Sequence, residues 1–149
     1  MAYQPKLIFP GLAGFYASMG PIAYTAARVV TGVILLVHGW GKVTGPGPTG
    51  VGTMFGRLAL PRADLLAYCV IFLETVGAAC VVIGLFTRFF AAGLAIEMLV
   101  ALVTVHWAKG FMVSAGGYEF VLLIGIMLFA IAIRGGGPYS VDAKIGKEL

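Results

Sequence analysis

Four stretches of this chain are apolar almost without interruption, and short polar or Gly/Pro-rich pieces separate them. They cover about residues 22–41, 64–86, 89–108 and 118–134, each close to the roughly 20 apolar residues that a membrane-crossing helix requires. The pattern predicts an all-α fold, an integral membrane bundle of four transmembrane helices running up, down, up and down, as one domain over residues 1–149. Little more than Phe86, Thr87 and Arg88 separates the second and third stretches, which makes them an antiparallel hairpin with Gly84 easing the end of the second helix. Pro21 stands where a first-turn proline is tolerated. The glycines and prolines of VTGPGPTGVG stop the first helix and open a loop over residues 43–62. In it Phe55, Arg57 and Leu58, ahead of Pro61, predict a short amphipathic helix or re-entrant piece over the bundle mouth. KGFMVSAGG joins the third stretch to the fourth, and a polar tail follows RGGGPYS. Within residues 1–20, Phe9, Leu12, Phe15, Tyr16 and Met19 predict an arm or short helix lying in the membrane interface. Pro10 and Gly11 break its short apolar run and no A-x-A site follows, unlike a cleaved signal peptide.

Composition changes the solvent rather than the element list. With 60% hydrophobic residues, 11% charged ones and a mean hydropathy of +1.01 over 149 residues, there is more apolar side chain than one small water-exposed core can bury. The lipid bilayer is the expected partner. The net charge is +4 and the pI about 9.3, yet the basic residues are scattered at segment ends and interleave with no aromatic stripe. That distribution suits membrane anchors and excludes nucleic acid. Basic residues divide five to four between the two ends of such a bundle, which inclines the termini towards the cytoplasm. Cys69 and Cys80 are eleven residues apart on one predicted helix, about 16 Å along its axis, far beyond disulfide reach.

Six ionisable residues lie in or beside these stretches: Arg28, His38, Glu74, Glu97, His106 and Glu119. At the centre of a bilayer such a group costs at least about 2.5–3.5 kcal/mol, so each is expected to pair or to touch a ligand. Glu74 has Gly77 and Ala78 on its face of the helix, which aims it at a helix interface. Glu97 shares a face with Gly93, Ala101 and Thr104, and a flexible Arg28 is expected to reach it as a structural ion pair. Nine residues separate Glu97 from His106; on a regular α-helix they face opposite ways and cannot share a small pocket. That geometry sorts the groups into a layer of Arg28 with Glu97 and a layer of His38, Lys42, His106 and Glu119, with Glu74 between. His38 and Lys42 are i and i+4 on one helix face. Imidazole, ammonium and carboxylate together are able to hydrogen-bond quinone carbonyls or to carry protons, with Glu74 and His38 the relay candidates. The ordinary polarity of helix ends accounts for the same residues. Paired histidines also raise haem ligation, but no C-x-x-C-H is present, and a metal held by His38, His106 and Glu119 is the thinnest option.

Taken in order, R28-x-x-x-G32, HGWGK at 38–42, LETVGA at 73–78, GLFTR at 84–88, His106, GGYEF around Glu119 and GGGPYSVD at 135–142 resemble the DoxX family of small four-helix bacterial membrane proteins. The resemblance covers about residues 20–142. It implies a multi-pass protein of the bacterial cytoplasmic (inner) membrane, working beside quinone-linked or other redox machinery. Position by position it makes Arg28, His38, Lys42, Glu74, Thr87, Arg88 and Glu119 the recurring polar residues. The function expected is a small integral subunit of a redox membrane complex, an accessory to an oxidoreductase rather than its catalytic part. Its partners would be larger subunits or a second copy of the chain, and its ligand a quinone rather than haem. The alternative is a purely structural or assembly subunit. A proton or small-solute pathway is a weaker third reading, because four short helices leave little room for a pore.

Overall fold

A computed structural model describes residues 6–149; part of the expected interfacial arm, residues 1–5, lies outside the described residues. The described residues form helices and no strand. Helix α1 spans Ala13–Thr44, α2 Gly47–Arg57 and α3 Ala63–Phe72, and a π-helical turn, Leu73–Gly77, carries α3 into α4, Ala78–Ile83. Helix α5, Thr87–Ala101, continues through a second π turn, Leu102–His106, and a 3-10 turn to Lys109. Helix α6 is Glu119–Arg134 and α7 is Val141–Ile145.

Among the described residues three helical runs, Pro10–Thr44, Ala63–Ile83 and Thr87–Lys109, are long and apolar enough to cross a membrane, where the sequence predicted four. The shortfall is in α6, whose 16 residues make about 24 Å of helix. Its start is delayed because the preceding segment folds back on itself: Tyr118 N–H donates to Gly110 O at 3.0 Å and Glu119 N–H to Phe111 O at 3.0 Å. Gly135, with φ +83°, ends it. The described part of the arm is helical: a 3-10 turn at Pro10–Leu12 leads straight into α1, and Pro21 sits inside that helix rather than in its first turn. The Gly/Pro-rich loop is largely helix α2, entered through Gly47 and Pro48, where a missing proline N–H costs nothing.

Leu35, Ala78, Val81, Phe90, Leu94, Met98, Ile124, Leu128 and Ile131 form one core shared by α1, α4, α5 and α6. Outward positions are as apolar as inward ones: Val33, Val37, Phe89, Ile96, Leu99, Leu123, Ile126 and Phe129 are all exposed. Helices apolar all round belong in lipid, not water. Val51, Phe55 and Ala67 make a second, smaller cluster that seats α2 on α3. Gly39 brings α1 to the π turn at Glu74; a Cβ there would lie 2.5 Å from Glu74 O.

The polar tail is not free. Asp142 is buried, and its carboxylate accepts from the backbone N–H of Phe86 at 2.8 Å and of Thr87 at 2.9 Å, and from the Thr87 hydroxyl at 2.7 Å. It thereby caps the first turn of α5, whose N–H groups have no partner within the helix. Arg28, also buried, donates to the carbonyls of Val81 at 2.5 Å, Val82 at 2.6 Å and Tyr139 at 2.8 Å. Arg88 bonds the Glu148 carboxylate at 2.7 Å. One end of the bundle is thus a hydrogen-bonded clamp of α1, α4, α5 and the tail.

Candidate functional site

At the opposite end of α1 the helices enclose a cavity of about 610 Å³. The C-terminal half of α1 contributes Leu35, His38 and Lys42; α3 and its π turn contribute Cys69, Leu73 and Glu74; α5 and its π turn contribute Glu97, Thr104 and His106. Phe120 and Ile124 of α6 close one side, and Met54, Phe55 and Leu60 of α2 and its following turn lie over another. His38, Met54, Cys69, Ile96, Val100 and Thr104 line the cavity and yet are exposed, so its mouth opens on the flank of the bundle.

The polar groups are held from several directions. The ammonium of Lys42 donates to a carboxylate oxygen of Glu74, and that side chain is almost wholly buried, 4% exposed against 27% for Lys42. Glu97 abuts Glu74 and is within electrostatic reach of Lys42, while its Oε2 is buried and meets no donor among the described residues. His106 places Nδ1 2.7 Å from Gly116 O. A carbonyl only accepts, so Nδ1 carries a proton and donates it to that bond. His38 lies against Phe120, ring centroids 6.4 Å apart. The walls between these groups are apolar.

The structure therefore brings His38, Lys42, Glu74 and His106 to one cavity and leaves out Glu119, whose carboxylate accepts from Val113 N–H at 2.8 Å and staples the segment before α6. Arg28 and Glu97 are no ion pair. Arg28 is committed to three carbonyls at the clamp, and Glu97 belongs to the cavity. Glu97 and His106 line the same space, against the expectation from a regular helix, because the last five residues of that interval form a π turn. Bonding from i to i+5 spends more residues on each turn, so nine residues rotate less than they do in an α-helix. Among the described residues no three His, Cys, Asp or Glu side chains gather as a metal site, and the set of His38, His106 and Glu119 is dispersed. Sequence reasoning missed Glu97 as a cavity residue and Asp142 as the cap of α5; the latter was within reach, since an acid after GGGPYSV has no apolar neighbourhood to explain it.

Residues 23–107, which include Arg28, the Lys42–Glu74 pair, Glu97 and His106, match the DoxX family. The chain belongs to the DoxX family. It is 32% identical over 120 residues to a Bacillus subtilis (strain 168) protein named "Putative oxidoreductase CatD", an alignment covering 80% of this chain and 84% of that protein. It is also 32% identical over 124 residues to an uncharacterised protein of Haemophilus influenzae, covering 81% of this chain and 89% of the other. No solved structure matches it. Family membership and three long apolar helices make this DoxX protein a multi-pass membrane protein associated with the lipid bilayer.

Proposed function

We propose that this DoxX protein is a small subunit of a redox complex in the bacterial cytoplasmic membrane and that its cavity takes a quinone. The observation that carries the reading is the cavity itself: about 610 Å³, within the ~300–1,000 Å³ usual for small-molecule sites, apolar in its walls, with an ammonium and an imidazole set into it. A quinone is an apolar ring and tail with two carbonyl acceptors. Lys42 retains N–H donors beyond the one given to Glu74, and the lateral mouth suits a ligand that arrives from the hydrocarbon region. Kinship with the protein named "Putative oxidoreductase CatD" supports the redox setting. In this reading α6 crosses as a fourth span, its 16 residues extended by Tyr118 at one end and by a snorkelling Arg134 at the other. The termini, and with them the Arg28–Asp142 clamp, face the cytoplasm.

Mild extraction from quinone-containing membranes, followed by mass spectrometry of co-purifying lipids and proteins, tests this. The expected result is quinone near one per chain, retained with larger redox subunits and reduced at least tenfold in Lys42→Ala. Quinone no richer in the preparation than in the bulk lipid, with no co-purifying redox subunit, overturns it.

A further inference from the structure

Lys42, Glu74 and Glu97 form a cluster whose charges do not balance. One ammonium faces two carboxyl groups in an apolar cavity, and the ion pair with Glu74 already engages that ammonium. Glu97 lies against Glu74, and two carboxylates in contact repel unless something sits between them. Among the described residues, its buried Oε2 meets no donor. The other titratable groups on the cavity wall do not serve. His106 donates Nδ1–H to Gly116 O, His38 stands beside Phe120, Cys69 lines the cavity from α3, and among the described residues Lys42 is the cation within electrostatic reach of Glu97.

We infer that Glu74 and Glu97 hold one proton between them, so that the pair, braced by Lys42, is a proton-exchange site in the wall of the cavity. One proton turns the repulsive contact into an O–H···O bond, supplies a partner to the orphaned carboxyl and makes the cluster of three neutral overall. The pair's position in the wall makes it the group with which a hydroxyl-bearing occupant of the cavity exchanges a proton. The shared proton belongs to the empty protein and does not rest on the quinone reading.

The test uses detergent-purified protein stripped of quinone, so the outcome is separable from ligand binding. Infrared spectra at neutral pH are expected to show a protonated-carboxyl stretch that shifts in D2O and disappears in both Glu97→Gln and Glu74→Gln. An apolar carbodiimide, which attacks only protonated carboxyl groups, is expected to leave an adduct on one of the two residues in the unmutated chain. If the glutamine variants fail to fold, the carbodiimide decides alone. A protonated-carboxyl band that is absent at neutral pH, or that survives Glu97→Gln, overturns the inference, as does an unmutated chain without an adduct on the pair. A band seen only after sodium is removed also overturns it, in favour of a bound cation.

Discussion

Lys42 and Glu74 are thirty-two residues apart in sequence and joined as an ion pair in the wall of the cavity. Lys42 lies near the end of α1 and Glu74 inside a π turn, and the contact depends on how closely those two backbones approach. A charge buried with a partner is tolerated, whereas the same charge alone is not. Lys42→Met therefore strands the Glu74 carboxylate. Breaking a fully buried pair costs about 3–5 kcal/mol; with Lys42 a quarter exposed, about 1–3 kcal/mol is expected. Thermal unfolding in detergent measures it. The double variant Lys42→Met, Glu74→Gln should recover a substantial part of the loss, because the uncompensated charge is gone. Additive losses would mean that the two residues act independently.

Gly39 is what allows that pair to form. A Cβ at this position would stand 2.5 Å from Glu74 O and 2.6 Å from Glu74 C, both backbone atoms that cannot swing aside. Gly39→Ala is expected to push α1 away from the π turn, at a cost of about 1–3 kcal/mol typical of overpacking, and to separate Lys42 from Glu74. Gly41, two residues on, faces open space. Gly41→Ala should be neutral or stabilising, by up to about 1 kcal/mol, since alanine is the better helix former. Melting temperatures of the two variants, compared side by side, check both signs.

At the other end of the bundle, Asp142 does for α5 what an N-cap does, but from 55 residues away. Its removal leaves the N–H groups of Phe86 and Thr87 and the Thr87 hydroxyl without their acceptor. Hydrogen bonds to a charged group are worth roughly 1.5–3 kcal/mol each where buried, and partial rehydration of this end reduces the sum. Asp142→Ala is expected to cost about 2–4 kcal/mol and to raise hydrogen exchange at residues 84–88, with cavity binding unchanged once the protein is folded. Exchange there as slow as in the unmutated chain would show that the tail is no clamp.

The four apolar stretches, the hairpin turn at Gly84 and the grouping of His38, Lys42, Glu74 and His106 are legible in the sequence because each follows from a local pattern of apolar runs, breakers and i,i+4 spacing. What was not legible depends on long-range partners or on helix phase. Arg28 has a flexible side chain, and only the folded tail shows that it turns to the carbonyls of Val81, Val82 and Tyr139 rather than to Glu97. Glu119 looks like a bundle-facing acid until the loop before it is seen to need its carboxylate. The motifs that carry the family resemblance divide accordingly: Arg28, GLFTR and GGGPYSVD build the clamp, and HGWGK, LETVGA and His106 supply the cavity.

Helix phase is itself open to experiment. A π turn arises where one residue too many is fitted into an α-helix, and such turns concentrate at functional sites because they redirect a side chain without ending the helix. The turn at Leu102–His106 contains Val103, which is exposed and bonded to nothing through its side chain. Deleting Val103 is expected to let the segment relax to a regular α-helix; eight residues then separate Glu97 from the histidine, about 800° or 80° net, so the two stay on one side of the helix. The imidazole keeps its place in the cavity, and the helix keeps its length to within about 1.5 Å. Circular dichroism should show undiminished helix, and the variant should retain quinone where His106→Phe loses it. A deletion variant that folds and loses the ligand as severely as His106→Phe does would show that helix phase is not what places the histidine.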